Sequence, residues 1–293
     1  MRAIPVRHYG RWISAAIVLG LLGLLFNAFA TANIQWQVVN DYLTYETVLR
    51  GAGWTLLITV LGMILGVTLG TLLAVMRLSA NPVMRSVAWG YIWFFRGTPI
   101  LVQLLLWYNL ALIIPTFNIG FYQNDMHAVM TPFMAALLGL GLNEAAYMAE
   151  ISRAGIQSVD RGQTEAAQAL GMRSGRTTRR IVLPQAMRVI IPPTGNEFIN
   201  MLKTSSLAYL VQFPELMRAA TDISSRTLAS MELLMVATFW YLVLTTVFSV
   251  FQYYLERNYS KGDLRELPPT PLQKIRTNLG QLRVPSRVGG KTV

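Results

Sequence analysis

Four ionisable side chains stand in or beside stretches that are otherwise apolar: Glu144, Glu150, Glu197 and Lys203. A charge inside an apolar run is expensive. It persists where it faces a polar cavity, pairs with an opposite charge or handles a charged cargo. A carboxylate at Glu144 suits an α-ammonium or a basic side chain, and Glu150 follows six residues later, near the run's inner edge. Glu197 and Lys203 either serve the same passage or neutralise each other. Bond-making chemistry has no comparable candidates. Neither H-E-x-x-H nor G-x-S-x-G occurs. The absence of cysteine removes disulfides, Cys-ligated zinc, Cys-ligated iron–sulfur clusters and a Cys nucleophile. Two histidines, His8 and His127, do not make a His-rich metal site. No catalytic group, no metal ligand and no bound cofactor is therefore expected in this chain.

The elements that position these residues are membrane spans. The 293 residues are 53% hydrophobic and 13% charged, against about 25% charged in a soluble domain. A helical span needs about 20 apolar residues. Residues 12–30, 52–76 and 233–254 are uncharged runs of that kind. Residues 98–116 contain Gln103 and Asn109, residues 128–148 contain Glu144, and residues 189–213 contain Glu197 and Lys203. The sequence thus predicts an all-α, polytopic bundle of about six spans. The first run is long for a signal-peptide core, although Asn27-Ala28-Phe29-Ala30 offers a small-residue cleavage site.

Orientation follows from the Lys/Arg bias. With a cytoplasmic N-terminus, 21 of the 25 basic residues fall in inside segments and only Arg50, Arg218 and Arg226 in outside ones. The outside segments also hold Asp41, Glu46, Asp125, Glu215, Asp222 and Glu232. Six spans then place both termini in the cytoplasm. The net charge of +11 is topological, which removes the case for nucleic acid as a partner.

Residues 35–50 read as one outer amphipathic helix carrying Trp36, Val39, Leu43 and Tyr45, and residues 80–82 as a turn before an interfacial stretch over 83–95. Gly62, Gly66 and Gly70 share one helix face and permit a close helix crossing, within a bundle or across a dimer. Three regions result: 1–48, with an N-terminal tail, the first span and an outer amphipathic segment; 49–259, the core; and 260–293, a basic, proline-bearing tail suited to anionic lipid headgroups.

The most polar part of the core is its long inner loop, 157–188. Asp160 is a candidate N-cap for a helix over 162–170, and Gly171 a candidate stop. A second helix over 174–182 runs up to Pro184, which either ends it or opens the next. Two soluble motifs resemble parts of this loop. A helix-turn-helix needs a core of its own, and membrane spans flank the loop closely. A phosphate loop needs four residues between its glycines and a Lys after the second. Between Gly171 and Gly175 there are three, and Arg176 follows.

The order Glu165-Ala166-Ala167, Gly171, then Ile181-Val182-Leu183-Pro184 resembles the EAA loop of ABC-importer permeases, and more closely the polar amino acid permease family. Phe95-Arg96-Gly97-Thr98-Pro99 is similar to that family's FRGTP signature. Ala146-Tyr147-Met148-Ala149-Glu150-Ile151 with Arg153 is similar to its AY-x-x-E-I-x-R segment. Asn196-Glu197-Phe198-Ile199, followed by Lys203-Thr204-Ser205-Ser206-Leu207, is similar to its segment after the loop, with Thr204 where the family more often has an acid. The resemblance spans residues 49–259 and leaves the first span and the tail outside.

The resemblance implies a five-helix importer core with an added N-terminal span. It implies a permease subunit of an ATP-driven importer in a bacterial cytoplasmic (inner) membrane, moving a polar amino acid or close derivative inward. ATP and Mg2+ would bind a separate ATPase subunit dimer, docked through Glu165, Ala166, Ala167, Gly171, Leu183 and Pro184. An extracytoplasmic solute-binding protein would deliver the cargo, and a second copy or a paralogue would complete the membrane dimer. Glu144, Glu150, Glu197 and Lys203 would lie along the substrate path. A secondary transporter or a channel without an ATPase partner is the alternative, and usually shows paired repeats.

Overall fold

The structure is a computed structural model that describes residues 9–118, 120, 121 and 123–259. The N-terminal arm through His8 and the basic tail 260–293 lie outside the described residues. The uncharged first run forms α1 (Tyr9–Thr31), whose apolar side chains lie exposed along its length. The expected single outer helix over 35–50 is divided in two. Tyr45 adopts extended backbone (φ −65°, ψ 134°), which closes α2 (Trp36–Leu43) and lets α3 (Glu46–Leu78) start afresh and run on as the second span. The Gln35 backbone N–H donates to Glu232 at 3.0 Å, and the Trp240 indole donates to the Leu43 carbonyl at 2.7 Å. Both ends of α2 are thereby fixed to the last helix.

Asn81 accepts from the Val83 N–H at 2.9 Å, and Pro82 occupies the first turn of α4 (Pro82–Gly97). The expected third span over 98–116 is not one helix. α5 (Ile100–Tyr108) has nine residues, roughly 14 Å of rise, half of a bilayer core about 30 Å thick. It stops where the Asn109 side chain turns back onto the Leu105 carbonyl at 2.8 Å, a local bond that competes with helix continuation. Pro115 then precedes a two-stranded antiparallel hairpin, β1 (Thr116–Asn118) and β2 (Gln123–Asp125), with Phe117 opposite Asn124. This hairpin is a departure from the all-α expectation, confined to the loop that follows α5.

A four-residue turn, α6 (Met126–Val129), leads to α7 (Pro132–Gln157). α7 begins later than the run at residue 128 suggests. Thr131 accepts from the Met134 N–H at 3.3 Å, and Pro132 sits in the first turn. The inner loop holds α8 (Arg161–Ala169) and α9 (Ser174–Thr177). A π-helical turn over Thr178–Val182 then runs without a break into α10 (Leu183–Thr204). Pro184 thus opens α10, the second of the two roles its position allows. A 3-10 segment (Ser205–Val211), α11 (Leu216–Thr227) and α12 (Ser230–Tyr259) complete the order.

α1, α3 and α12 are long and apolar enough to cross a membrane by length and composition alone. α3 and α7 form the most extensive helix pair, and the glycine face makes it possible. A Cβ on Gly70 would lie 2.6 Å from Met148 Cβ and 2.7 Å from the Ala145 carbonyl of α7, while one on Gly62 would lie 2.9 Å from Met201 Sδ of α10. The close crossing is thus within this chain. Around it, Leu73, Ala88, Ile92, Ala145 and Ala149 pack towards one end, and Ile58, Leu104, Leu140, Val211 and Phe213 towards the other.

Candidate functional site

The FRGTP stretch is a corner. α4 ends at Gly97, Thr98 is extended ahead of Pro99, and α5 starts at Ile100, as a residue before proline prefers. Two buried amides hold the corner. Gln103 Nε2 donates to the Phe95 carbonyl (2.9 Å), the Thr98 carbonyl (3.1 Å) and the Thr98 hydroxyl (2.7 Å). Asn143 Nδ2 donates to the Phe95 carbonyl (2.9 Å) and to Gln103 Oε1 (3.2 Å). Asn143 was not visible as a candidate in the sequence. Its signal is an amide next to Glu144 inside an apolar run.

This corner walls a polar cavity of about 480 Å3 between α5, α7 and α10. Three of the expected path residues line it: Glu144 from α7, and Glu197 and Lys203 from α10. Glu144 is 6% exposed, and its Oε1 has no hydrogen-bond partner among the described residues. Glu197 lies close enough to act on it electrostatically, and Asn200 Nδ2 reaches Glu197 Oε2 at 3.5 Å. The neutralising Glu197–Lys203 ion pair does not form; the ion pairs among the described residues are Glu46–Arg50, Glu150–Arg153 and Arg218–Asp222. Tyr147 also lines the cavity, and the Arg96 guanidinium lies over its ring, 5.2 Å from the centroid.

Glu150 is not part of this cavity. It accepts from Arg153 Nη2 at 2.6 Å and from Nε at 3.2 and 3.3 Å. Arg153, with Arg96 and Arg77 further off, holds the Glu150 carboxyl below the usual carboxylate range. It is an ion pair six residues along α7 from Glu144, less than two helical turns away.

The inner loop forms a projecting elbow. Asp160 accepts from the Gly162 N–H at 2.7 Å and caps α8. At the other end Gly171 takes φ +77°. Its N–H donates to the Gln168 carbonyl (2.9 Å), and the Met172 N–H donates to the Ala167 carbonyl (3.0 Å), the paired bonds of a Schellman stop. Glu165, Ala166 and Gly171 are exposed. Ala167 is buried, on the side where α8 meets α9 and the π-helical turn, so it offers no outward surface. Leu170 is 84% exposed beside the elbow. A large apolar residue on a polar loop was the sequence signal for it. Leu183 and Pro184 are exposed at the foot of α10.

An apolar helix bundle with a polar cavity among its helices, joined by one continuous helix to an exposed elbow, fits a multi-pass membrane transport component. Residues 66–261 match the family described as "Binding-protein-dependent transport system inner membrane component", and the chain belongs to that family. Its relatives are amino-acid ABC transporter permeases. It is 48% identical to the arginine transport system permease protein ArgU of Corynebacterium glutamicum, over 94% of this chain and 88% of that one. It is 37% identical to the glutamate/aspartate import permease protein GltK of Escherichia coli, over 76% of this chain and 97% of that one. Among solved structures, an amino acid ABC transporter crystallised with histidines matches with a TM-score of 0.66 at 38% identity, covering 78% of this chain and 99% of the other.

Proposed function

We propose that this subunit passes a polar amino acid inward through the cavity lined by Glu144, Glu197 and Lys203, under the control of an ATPase dimer docked on the α8 elbow. The observation that carries the reading is continuity. From the Gly171 stop, α9, the π-helical turn and α10 form one helical path from the exposed elbow to Glu197 and Lys203. A displacement of the elbow reaches the cavity wall along this path, by way of the π-helical turn and of Pro192 and Pro193, where the helix can bend. The outward groups of the elbow are Glu165, a charge for a basic partner residue, the small Ala166, and Leu170, an apolar anchor for a partner pocket. Gly171 supplies the turn, Ala167 fixes α8 to its own chain, and Leu183 and Pro184 set the foot of α10 at the membrane surface. Glu150 belongs to the inner end of the path.

The ATP and Mg2+ are held by the partner ATPase, not by this chain. A second copy or a paralogue completes the membrane dimer, and a solute-binding protein delivers cargo to the outer face beside α2 and α11. The membrane is the bacterial inner membrane, with both termini in the cytoplasm. The test is purification of the full chain from its native host, followed by mass spectrometry and by uptake assays of Glu165→Ala and Gly171→Asp. An ATPase subunit in the purified assembly, and loss of uptake in both variants at normal membrane abundance, is the expected result. Absence of any ATPase after mild cross-linking, or unchanged uptake in both variants, overturns the reading.

A further inference from the structure

Between the elbow and the cavity, α10 contains Pro192 and Pro193. Neither has an N–H, so the carbonyls one turn earlier, of Arg188 and Val189, lose their helical donors. The Thr194 hydroxyl donates back to the Ile190 carbonyl at 2.8 Å, a bond that also favours bending. This bend point precedes Glu197 and Lys203, the cavity residues of α10. Left free, it would absorb a movement of the elbow before that movement reached them.

α12 meets the bend point with one buried amide. Gln252 Nε2 donates to the Pro192 carbonyl at 2.8 Å and to Glu256 Oε1, one turn further along α12, at 2.7 Å. Asn196 Nδ2 reaches the same Pro192 carbonyl at 3.3 Å. Glu256 aims the amide, and α10 makes room for it, since a Cβ on Gly195 would overlap the Gln252 amide group. Beside this clasp lies an apolar cavity of about 300 Å3 between α3, α10 and α12, walled by Met63, Ile191, Phe198, Phe248 and Phe251. The Phe198 and Phe248 rings meet there with centroids 4.7 Å apart. The seam thus combines one directional hold with space in which α10 can tilt.

We propose that Gln252 is a positioning residue of the coupling path. Its amide fixes the Pro192 carbonyl as a pivot, so that a displacement of the elbow swings the Glu197–Lys203 segment instead of being lost in the bend. The inference rests on the reading of the α8 elbow as the ATPase dock. Gln252 is not in the wall of the polar cavity; it acts through α10. Loss of the clasp should therefore leave an assembly that hydrolyses ATP and moves little cargo.

The test uses the full chain with its ATPase subunits and solute-binding protein, purified from the native host. The membrane assembly is reconstituted in proteoliposomes that enclose ATP. The binding protein is added outside, loaded from a tritiated mixture of the twenty protein L-amino acids. Tritium accumulated and ATP hydrolysed are read in the same vesicles. Their ratio reports coupling, whereas a variant that merely folds poorly lowers both together. Gln252→Leu keeps a similar volume and removes the donor. Its hydrolysis should still respond to loaded binding protein, while the ratio falls about five- to tenfold, the equivalent of one hydrogen bond. Gly195→Ala displaces the amide without removing it and should lower the ratio as well. Alanine favours a helix over glycine, so weakened helix formation does not account for that fall. Phe248→Leu thins the same seam without touching the clasp; its thermal midpoint should drop and its ratio should match wild type.

A wild-type ratio in Gln252→Leu overturns the proposal. So does a wild-type ratio in Gly195→Ala, which keeps every polar group and decides the matter where Gln252→Leu does not assemble. An equal fall in Phe248→Leu overturns it too, because packing of the seam is then the cause. Each of these leaves the importer reading standing as long as the wild-type assembly couples hydrolysis to uptake. A wild-type assembly that contains no ATPase, or that accumulates no amino acid, removes both.

Discussion

Gly66 and Glu144 meet across the α3–α7 crossing. A Cβ on Gly66 would lie 2.6 Å from Glu144 Cγ and 2.9 Å from its Cβ. The glycine therefore sets how deeply the carboxylate sits, and α3, the longest helix among the described residues, fixes the acid in the cavity wall.

Gly66→Ala is expected to push α7 away or to force Glu144 off its rotamer, at about 1–3 kcal/mol, the usual cost of an added methyl in a packed interior. Amino-acid uptake should fall severalfold at equal membrane abundance. Gly53 is the control. It lies on the same helix, is exposed, and has nothing within 4 Å of its Cβ position, so Gly53→Ala should leave uptake unchanged. Equal uptake by the two variants would show that the crossing does not position Glu144.

The elbow yields a separable prediction. Leu170 contributes little to folding at 84% exposure, so Leu170→Ser should reach the membrane at normal abundance and keep its thermal midpoint. If Leu170 fills a pocket of the ATPase, truncation should cost about 1–3 kcal/mol of docking. The yield of co-purified ATPase should then drop by about tenfold or more. Undiminished co-purification would place the docking contact elsewhere on α8.

Glu215 ties α3, α11 and α12 together. Its carboxylate accepts from the Met217 N–H (2.8 Å) and the Arg218 N–H (2.7 Å) at the start of α11. It also accepts from the Tyr241 hydroxyl on α12 (2.5 Å), and the Thr55 hydroxyl of α3 lies 3.5 Å away and accepts from the Leu216 N–H at 3.1 Å. Glu215→Ala removes a cap worth about 1 kcal/mol and orphans buried donors at about 1–3 kcal/mol. The detergent-purified protein should melt several degrees lower. Tyr241→Phe removes one donor and keeps the cap, so its midpoint should fall between the two. A Tyr241→Phe loss as large as that of Glu215→Ala would show that the hydroxyl, not the cap, holds the three helices together.

Composition and run length made the helical membrane bundle legible, and motif order made the elbow legible, because α8 is set by local signals: Asp160 at one end and Gly171 at the other. The third span was misread for the same local reason in reverse. Hydropathy over 98–116 is continuous, but Asn109 and Pro115 stop the helix where the backbone, not the composition, decides. The cavity was half legible. Glu144, Glu197 and Lys203 stand out as charges in apolar runs, yet nothing in a single sequence says that residues some fifty apart on α7 and α10 face one space. Asn143 and Gln103 are invisible as a pair for the same reason. Ala167 reads as part of a smooth outward face and turns inward, since helical phase relative to the rest of the chain is fixed by packing.

Glu150 tests the inner end by pH. Its bond to Arg153 lowers its carboxyl below the usual range, so the folded protein binds that proton more weakly than the unfolded chain does. The pair therefore stabilises the fold above the ordinary glutamate value of about 4.3, and its contribution disappears as pH falls through the lowered folded-state value. Both side chains are about a third exposed or less, and water weakens the attraction, which limits the pair to about 1 kcal/mol. Glu150→Gln should melt slightly below wild type at pH 7, and the gap should close as pH is lowered below about 4. The other carboxylates titrate equally in both proteins and cancel in the difference. A gap that stays constant across this range would mean that the Gln variant loses packing rather than charge. Glu150 would then act through its shape at the inner end of α7 and not through Arg153.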